Sequence, residues 1–129
     1  MKEVRTERAP APVGPYSQAI EHSGWVFASG QIPLDPATGK LVRGDIEAQT
    51  RAVLANLKAV LEAGGASFSN VVRTTIYLTD LADFPRVNAV YGEHFSAEPR
   101  PARATVQVAA LPLGAKIEID AIAAVHADS

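Results

Sequence analysis

Between residues 45 and 78 the chain passes from a long amphipathic pattern into a dense β-branched run. This juxtaposition restricts the fold more than any other feature. Ile46, Thr50, Val53, Leu54, Leu57, Val60 and Leu61 recur at i, i+3 and i+4 spacing, which predicts a helix over 45–63 with one apolar stripe. Asp45 stands at the N-cap position, Glu47 suits the positive end of the helix dipole, and Gly64-Gly65 supplies the stop. Val71-Val72-Arg73-Thr74-Thr75-Ile76-Tyr77-Leu78 then reads as a strand. A helix that hands over directly to such a strand buries its stripe on a sheet.

The remaining elements follow from the punctuation. A short strand is expected near Val4, and Ala9–Pro15 is an extended, donor-poor loop. Tyr16–Glu21 and Trp25–Ser29 flank His22-Ser23-Gly24 as a hairpin. Residues 30–44 form a loop with turns at Asp35-Pro36 and Thr38-Gly39-Lys40. A second helix is expected to start on an Asp83 cap with Pro85 in its first turn, to carry the stripe Phe84, Val87, Tyr91 and Phe95, and to end by Pro99–Pro101. Ala102–Ala109 and Lys116–Ala123 alternate as strands, with Arg103, Thr105 and Gln107 on one face of the first.

The order β-β-β-α-β-α-β-β predicts an α+β fold, one mixed β-sheet packed against two α-helices on one face. Val72, Thr74 and Ile76 are expected on one face of their strand, opposite Val71, Arg73 and Thr75. Two helices cannot cover both faces of such a sheet, so self-association is the expected cover.

Composition narrows the function. The 129 residues contain no cysteine, which excludes thiol nucleophiles, disulfide frameworks, zinc ribbons and iron–sulfur clusters. A chain of this length reads as a single domain, 1–129, able to bury about two thirds of its extended surface. Twelve Lys+Arg against fourteen Asp+Glu leave a net charge of −2, unlike the basic footprint of a nucleic-acid binder. The charged start Met-Lys-Glu-Val-Arg is not a signal peptide, and no apolar run approaches the ~20 residues of a membrane span, so the expected location is cytoplasmic.

Few side chains invite chemistry. His22, His94 and His126 have no metal-ligand spacing, and neither a phosphate loop nor a nucleophile elbow is present, so no metal and no cofactor are expected. Arg103 lies inside an otherwise uncharged strand, where it should be partly buried and require an anion. That anion is either Glu118 or Asp120, in a structural salt bridge, or the carboxylate of a ligand. Glu118 alternates on the last strand as a solvent-facing edge residue or as a base that orients water. Ser29-Gly30 ends a strand where a ligand can approach the backbone. Tyr16 follows the proline-rich loop, and Asn88 lies beside the second helix's stripe.

Five segments form a spaced set: Gly14-Pro15-Tyr16-Ser17-Gln18-Ala19, Ala28-Ser29-Gly30-Gln31-Ile32-Pro33, Val87-Asn88-Ala89-Val90-Tyr91, Pro101-Ala102-Arg103-Ala104-Thr105-Val106 and Lys116-Ile117-Glu118-Ile119. Through them the chain resembles the Rid family of reactive intermediate deaminases, also called the YjgF family, from about Thr6 to Val125. The resemblance implies a fold similar to the Bacillus chorismate mutase and a homotrimer with a barrel-like core. It implies that the last strand inserts between the strand ending at Ser29 and the strand Val71–Leu78, and that ligand clefts lie between subunits. It further implies hydrolytic deamination of 2-imino acids and their enamine tautomers, such as 2-iminopropanoate from 2-aminoacrylate, to 2-keto acids and ammonia. In that reading Arg103 is the carboxylate clamp and Glu118 holds the hydrolytic water. Tyr16, Ser29, Gly30 and Asn88 line the cleft. Thr105 stands where many members carry a cysteine, and offers a hydroxyl to the ligand instead. Arg100 stands where many members have an aromatic or apolar residue, either widening selectivity toward acidic substrates or simply solvated on its loop. The competing functions are a non-catalytic sensor of small carboxylates using the same Arg103 and an endoribonuclease.

Overall fold

The computed structural model describes residues 1–126, so the last three residues of the expected 1–129 domain lie outside it. The strands are β1 (Lys2–Val4), β2 (Ala19–His22), β3 (Trp25–Gln31), β4 (Val71–Leu78), β5 (Ala102–Gln107) and β6 (Ile117–Ala124). The helices are α1 (Ile46–Ala63), between β3 and β4, and α2 (Phe84–His94), between β4 and β5. One six-stranded sheet runs β1-β2-β3-β6-β4-β5. The β4–β5 pair is parallel and every other pair is antiparallel. The last strand lies between β3 and β4, as the resemblance implies, and β3 and β4 run parallel to each other on either side of it.

Local chemistry explains the element ends. The β2–β3 hairpin turns on Ser23 (φ 53°) and Gly24 (φ 84°), and two successive positive φ values match the twist of the flanking strands. Asp45 caps α1 by accepting from the Ala48 N–H at 2.9 Å. Asp83 differs from expectation: it sits in helical backbone and makes no side-chain cap. Asp80 does the capping instead, accepting from Ala82 N at 2.9 Å at the start of a 3₁₀ turn, Leu81–Asp83, that runs into α2. Tyr16 also differs, lying in a loop ahead of β2 rather than in the strand. The donor-poor loop before it is served by the buried amide of Gln18. That amide accepts from Thr6 N at 2.7 Å and donates to the carbonyls of Thr6 (3.0 Å) and Pro10 (2.9 Å).

The core lies between the helices and one face of the sheet. Val53, Leu54, Leu57, Val60 and Leu61 of α1 are fully buried against Val26 of β3, Ile76 and Leu78 of β4, and Ile117, Ile119 and Ala123 of β6. Ion pairs tie the two helices side by side, Arg51 to Glu93 at 2.7 Å and Arg86 to Glu47 at 2.6 Å. The buried amides of Gln49 and Asn56 on α1 bond the backbone of the 32–44 loop, at Val42, Ile32 and Leu34.

One expected face assignment is overturned. The β4–β6 register shifts between Val71 and Arg73, so Val71 is buried with Thr74 and Ile76 while Val72 is 42% exposed. A bulge of one residue reverses the alternation across it. The other face of the sheet carries Trp25, Phe27 and Val106, each more than 40% exposed, beside the half-buried Ile122 and Tyr77. No helix of the described residues is long and apolar enough to cross a membrane.

Ile119 is fully buried on the central strand, so Ile119→Ala should lower unfolding stability by about 2–5 kcal/mol. Denaturant unfolding at one fixed protein concentration measures it, and a loss under 1 kcal/mol contradicts this packing.

Candidate functional site

The sequence candidates separate into two groups on opposite sides of the sheet. The first lies where β5 meets α2. Arg103 is the register partner of Thr74, whose hydroxyl is 2.7 Å from the Tyr91 phenol of α2. Cross-strand partners share a face, so Arg103 projects to the helix side. Its Nη1 donates to Asn88 Oδ1 at 2.8 Å. Its Cζ lies 4.9 Å from the Tyr91 ring centroid and 5.3 Å from that of Phe84. Phe84, Asn88 and Tyr91 are spaced i, i+4, i+7 and form one face of α2 that holds a single guanidinium.

Two expectations for Arg103 fail. It is exposed rather than partly buried, because β5 is an edge strand with only α2 beside it. Nor does it bridge to Glu118 or Asp120, and among the described residues it forms no ion pair at all. Glu118 and Asp120 pair across with Tyr77 and Thr75, on the opposite face, with all of β4 in between.

The second group surrounds Glu118. Far from being an edge residue, Glu118 is half-buried on a strand paired on both sides. The β3–β6 register steps from Ala28↔Ala121 to Gln31↔Ile119, which leaves Ser29 and Gly30 in a bulge. Gly30 faces the Glu118 side chain. A Cβ there would lie 2.7 Å from Glu118 Cδ and 2.9 Å from its Cγ, so only glycine leaves room. Val13, Tyr16, Ile32 and Pro112 complete a cavity of about 380 Å³ over Glu118. Burial pushes the Glu118 carboxyl above the usual glutamate range, and the negative charge of Asp120 adds to the shift. Asp120 itself accepts from the Tyr77 phenol at 3.0 Å.

Residues 6–125 match the family model described as endoribonuclease L-PSP. The chain belongs to this family, the Rid or YjgF/RutC family. Reactive Intermediate Deaminase A of Arabidopsis thaliana, a chloroplastic protein, is 58% identical over 120 residues, 93% of this chain and 64% of that protein. The 2-iminobutanoate/2-iminopropanoate deaminase of Mus musculus is 47% identical over 122 residues, 95% and 90% of the two chains. The crystal structure of the Rid-family protein YyfA from Yersinia pestis superposes with a TM-score of 0.93 at 48% identity, covering 96% of this chain and 98% of that one.

Within this Rid chain two expected ligand groups are placed differently from their simplest reading. The Ser29 hydroxyl donates to Ser17 O at 2.6 Å, so toward a ligand it is left only as an acceptor. Thr105 lines neither cavity, and its Oγ1 is shielded from solvent with no partner. Tyr16 is exposed, and its phenol accepts from Val13 N at 3.3 Å. Two roles escape sequence reasoning: Gln18 as the partner of the donor-poor loop, and Asp120 as the charge beside Glu118. The first is signalled by an amide next to a loop that lacks donors, the second by its i+2 position from Glu118. Among the described residues no three His, Asp or Glu side chains converge at metal-binding distance.

The Glu118 carboxyl should titrate above the ordinary glutamate range, and Asp120→Asn should move its midpoint down by removing the adjacent negative charge. Carbon-13 NMR titration of the Glu118 carboxyl reads both, and an upward move in the variant would contradict the assigned cause.

Proposed function

We propose that this chain assembles as a homotrimer and hydrolyses 2-imino acids to 2-keto acids and ammonia, at clefts completed by two subunits. The observation that carries the reading is Arg103: an exposed guanidinium, held by two rings and an amide, with no carboxylate among the described residues as partner. Such a group presents the fork that matches a planar carboxylate. The carboxyl of Glu118, half-buried in its cavity and pushed above its usual range by that burial, supplies the second requirement, a group that takes and returns a proton. The two lie on opposite faces, two strand spacings apart across the sheet and three register positions apart along it (Thr74 against Tyr77), about 14 Å in all. A small imino acid cannot reach both in one subunit, so a second copy brings its Glu118 cavity to the first copy's Arg103. The apolar open face supplies the area for that association.

In the reaction Arg103 binds the substrate carboxylate through two parallel hydrogen bonds. The partner subunit's Ser29 accepts from the iminium N–H, and Gly30 leaves the space the Glu118 carboxyl occupies beside the imine carbon. Water held by the partner subunit's Glu118 adds its oxygen to that carbon, while the carboxylate takes the water's proton. Glu118 then passes the proton to the nitrogen of the carbinolamine. The C–N bond breaks, ammonia leaves, and the carbinol oxygen loses its proton to form the keto group. A protonated imine is already electrophilic, so positioning and proton transfer suffice without a cofactor.

The relatives named as deaminases favour this reading over the endoribonuclease of the family description. A chain with more carboxylates than cations also lacks the electrostatic basis for RNA binding.

An amino-acid oxidase that generates imino acids in the presence of semicarbazide tests the proposal, since hydrolysis suppresses semicarbazone formation. Wild type should suppress it, and Arg103→Ala, at an exposed position, should fold normally and lose about 10²-fold or more in kcat/KM. Full activity in that variant overturns the assignment. Binding of keto acids without any suppression points to a sensor. Light scattering should give a mass three times the 13.6 kDa chain.

A further inference from the structure

The cavity beside Arg103 contains a second guanidinium that the reaction above does not use. This space, about 460 Å³, is lined by Asn88, Tyr91, Phe95, Arg100 and Arg103 together with Gly92 and Pro101. Neither Asp nor Glu is among its walls, so two cations face one cavity without an internal counter-charge. Two residues, Pro101 and Ala102, separate the two arginines, which keeps their Cα atoms within about 10 Å of each other. Arg100 is held at the rim: its Nε donates to Phe95 O at 3.2 Å, and its Nη1 donates to Glu98 Oε1 at 2.8 Å. The Glu98 pair is open to water, with side chains 58% and 74% exposed for Arg100 and Glu98. Exposed ion pairs of this kind contribute little and are readily exchanged for another carboxylate.

We propose that Arg100 is a specificity-determining residue, and that this cavity selects 2-imino acids bearing a second carboxylate on the side chain. Arg103 takes the carboxylate next to the imine carbon, and Arg100 exchanges Glu98 for the distal one. The substrate class is the imine of a four- or five-carbon dicarboxylic amino acid, which water converts to the corresponding 2-keto dicarboxylate and ammonia. The inference rests on the imine-hydrolysis reading for turnover, but its binding part stands apart from it.

The test pairs kinetics with binding. In the semicarbazide assay, kcat/KM is measured for the imines derived from glutamate and from 2-aminobutanoate in wild type, Arg100→Gln and Arg100→Lys. The ratio of the first to the second should fall about tenfold in Arg100→Gln and recover in Arg100→Lys, which restores the charge. Calorimetric binding of 2-oxoglutarate and 2-oxobutanoate to the same proteins supplies the readout that needs no turnover. Wild type should prefer the dicarboxylate, and Arg100→Gln should lose that preference. A wild type that hydrolyses no imine but shows this binding pattern retains the Arg100 assignment and rejects the reaction. Equal ratios in wild type and Arg100→Gln, or no binding preference in wild type, overturn the proposal even where imine hydrolysis is intact.

Discussion

Everything in this molecule depends on the insertion of β6 between β3 and β4. Ile117, Ile119, Ala121 and Ala123 turn one side of that strand into the floor of the core under α1. Glu118 and Asp120 occupy the alternate positions and necessarily face the other way. The same antiparallel pairing with β3 generates the bulge at Ser29-Gly30 and brings a glycine against the Glu118 side chain. A carboxyl on a strand paired on both sides is partly withdrawn from water, and this raises its affinity for a proton. Pairing, packing and acid–base chemistry are therefore consequences of one strand's position.

Opposed to this buried strand is β5, at the sheet's edge. Its Arg103 gains rigidity from α2 rather than from burial. The Tyr91 phenol is anchored on buried Thr74, and the Tyr91 ring in turn supports the guanidinium. An exposed cation with a fixed orientation suits a ligand that must enter and leave. A buried one would have required a permanent counter-ion from its own chain. Under the proposed reaction, the division of Arg103 and Glu118 between opposite faces would give self-association a chemical consequence as well as an energetic one.

Much of the fold was legible because periodicity reports burial directly. The stripe on 45–63, the Asp45 cap and the β-branched run 71–78 all appear where the spacing puts them. Three positions depart from the pattern, each for its own reason. Asp83 was expected as a cap because aspartate precedes the apolar stripe, yet a 3₁₀ turn begun at Asp80 had already satisfied the backbone. Val72 faces opposite to the side its alternation predicts, because a bulge is invisible to a pattern of period two. Arg103 was expected to be partly buried because its strand is otherwise uncharged, whereas an edge strand leaves such positions open to water.

By itself the sequence determined the α+β class, the succession of strands and helices, and the set of chemically able residues. These follow from local backbone preference and from the spacing of apolar side chains, which short stretches of chain already encode. Only the tertiary structure decided the strand order, the contact of Gly30 with Glu118, the raised proton affinity of that carboxyl, and the separation of Glu118 from Arg103. Each of these depends on which distant segments become neighbours. Long-range pairing and desolvation set that outcome, and neither is a property of any local stretch of residues.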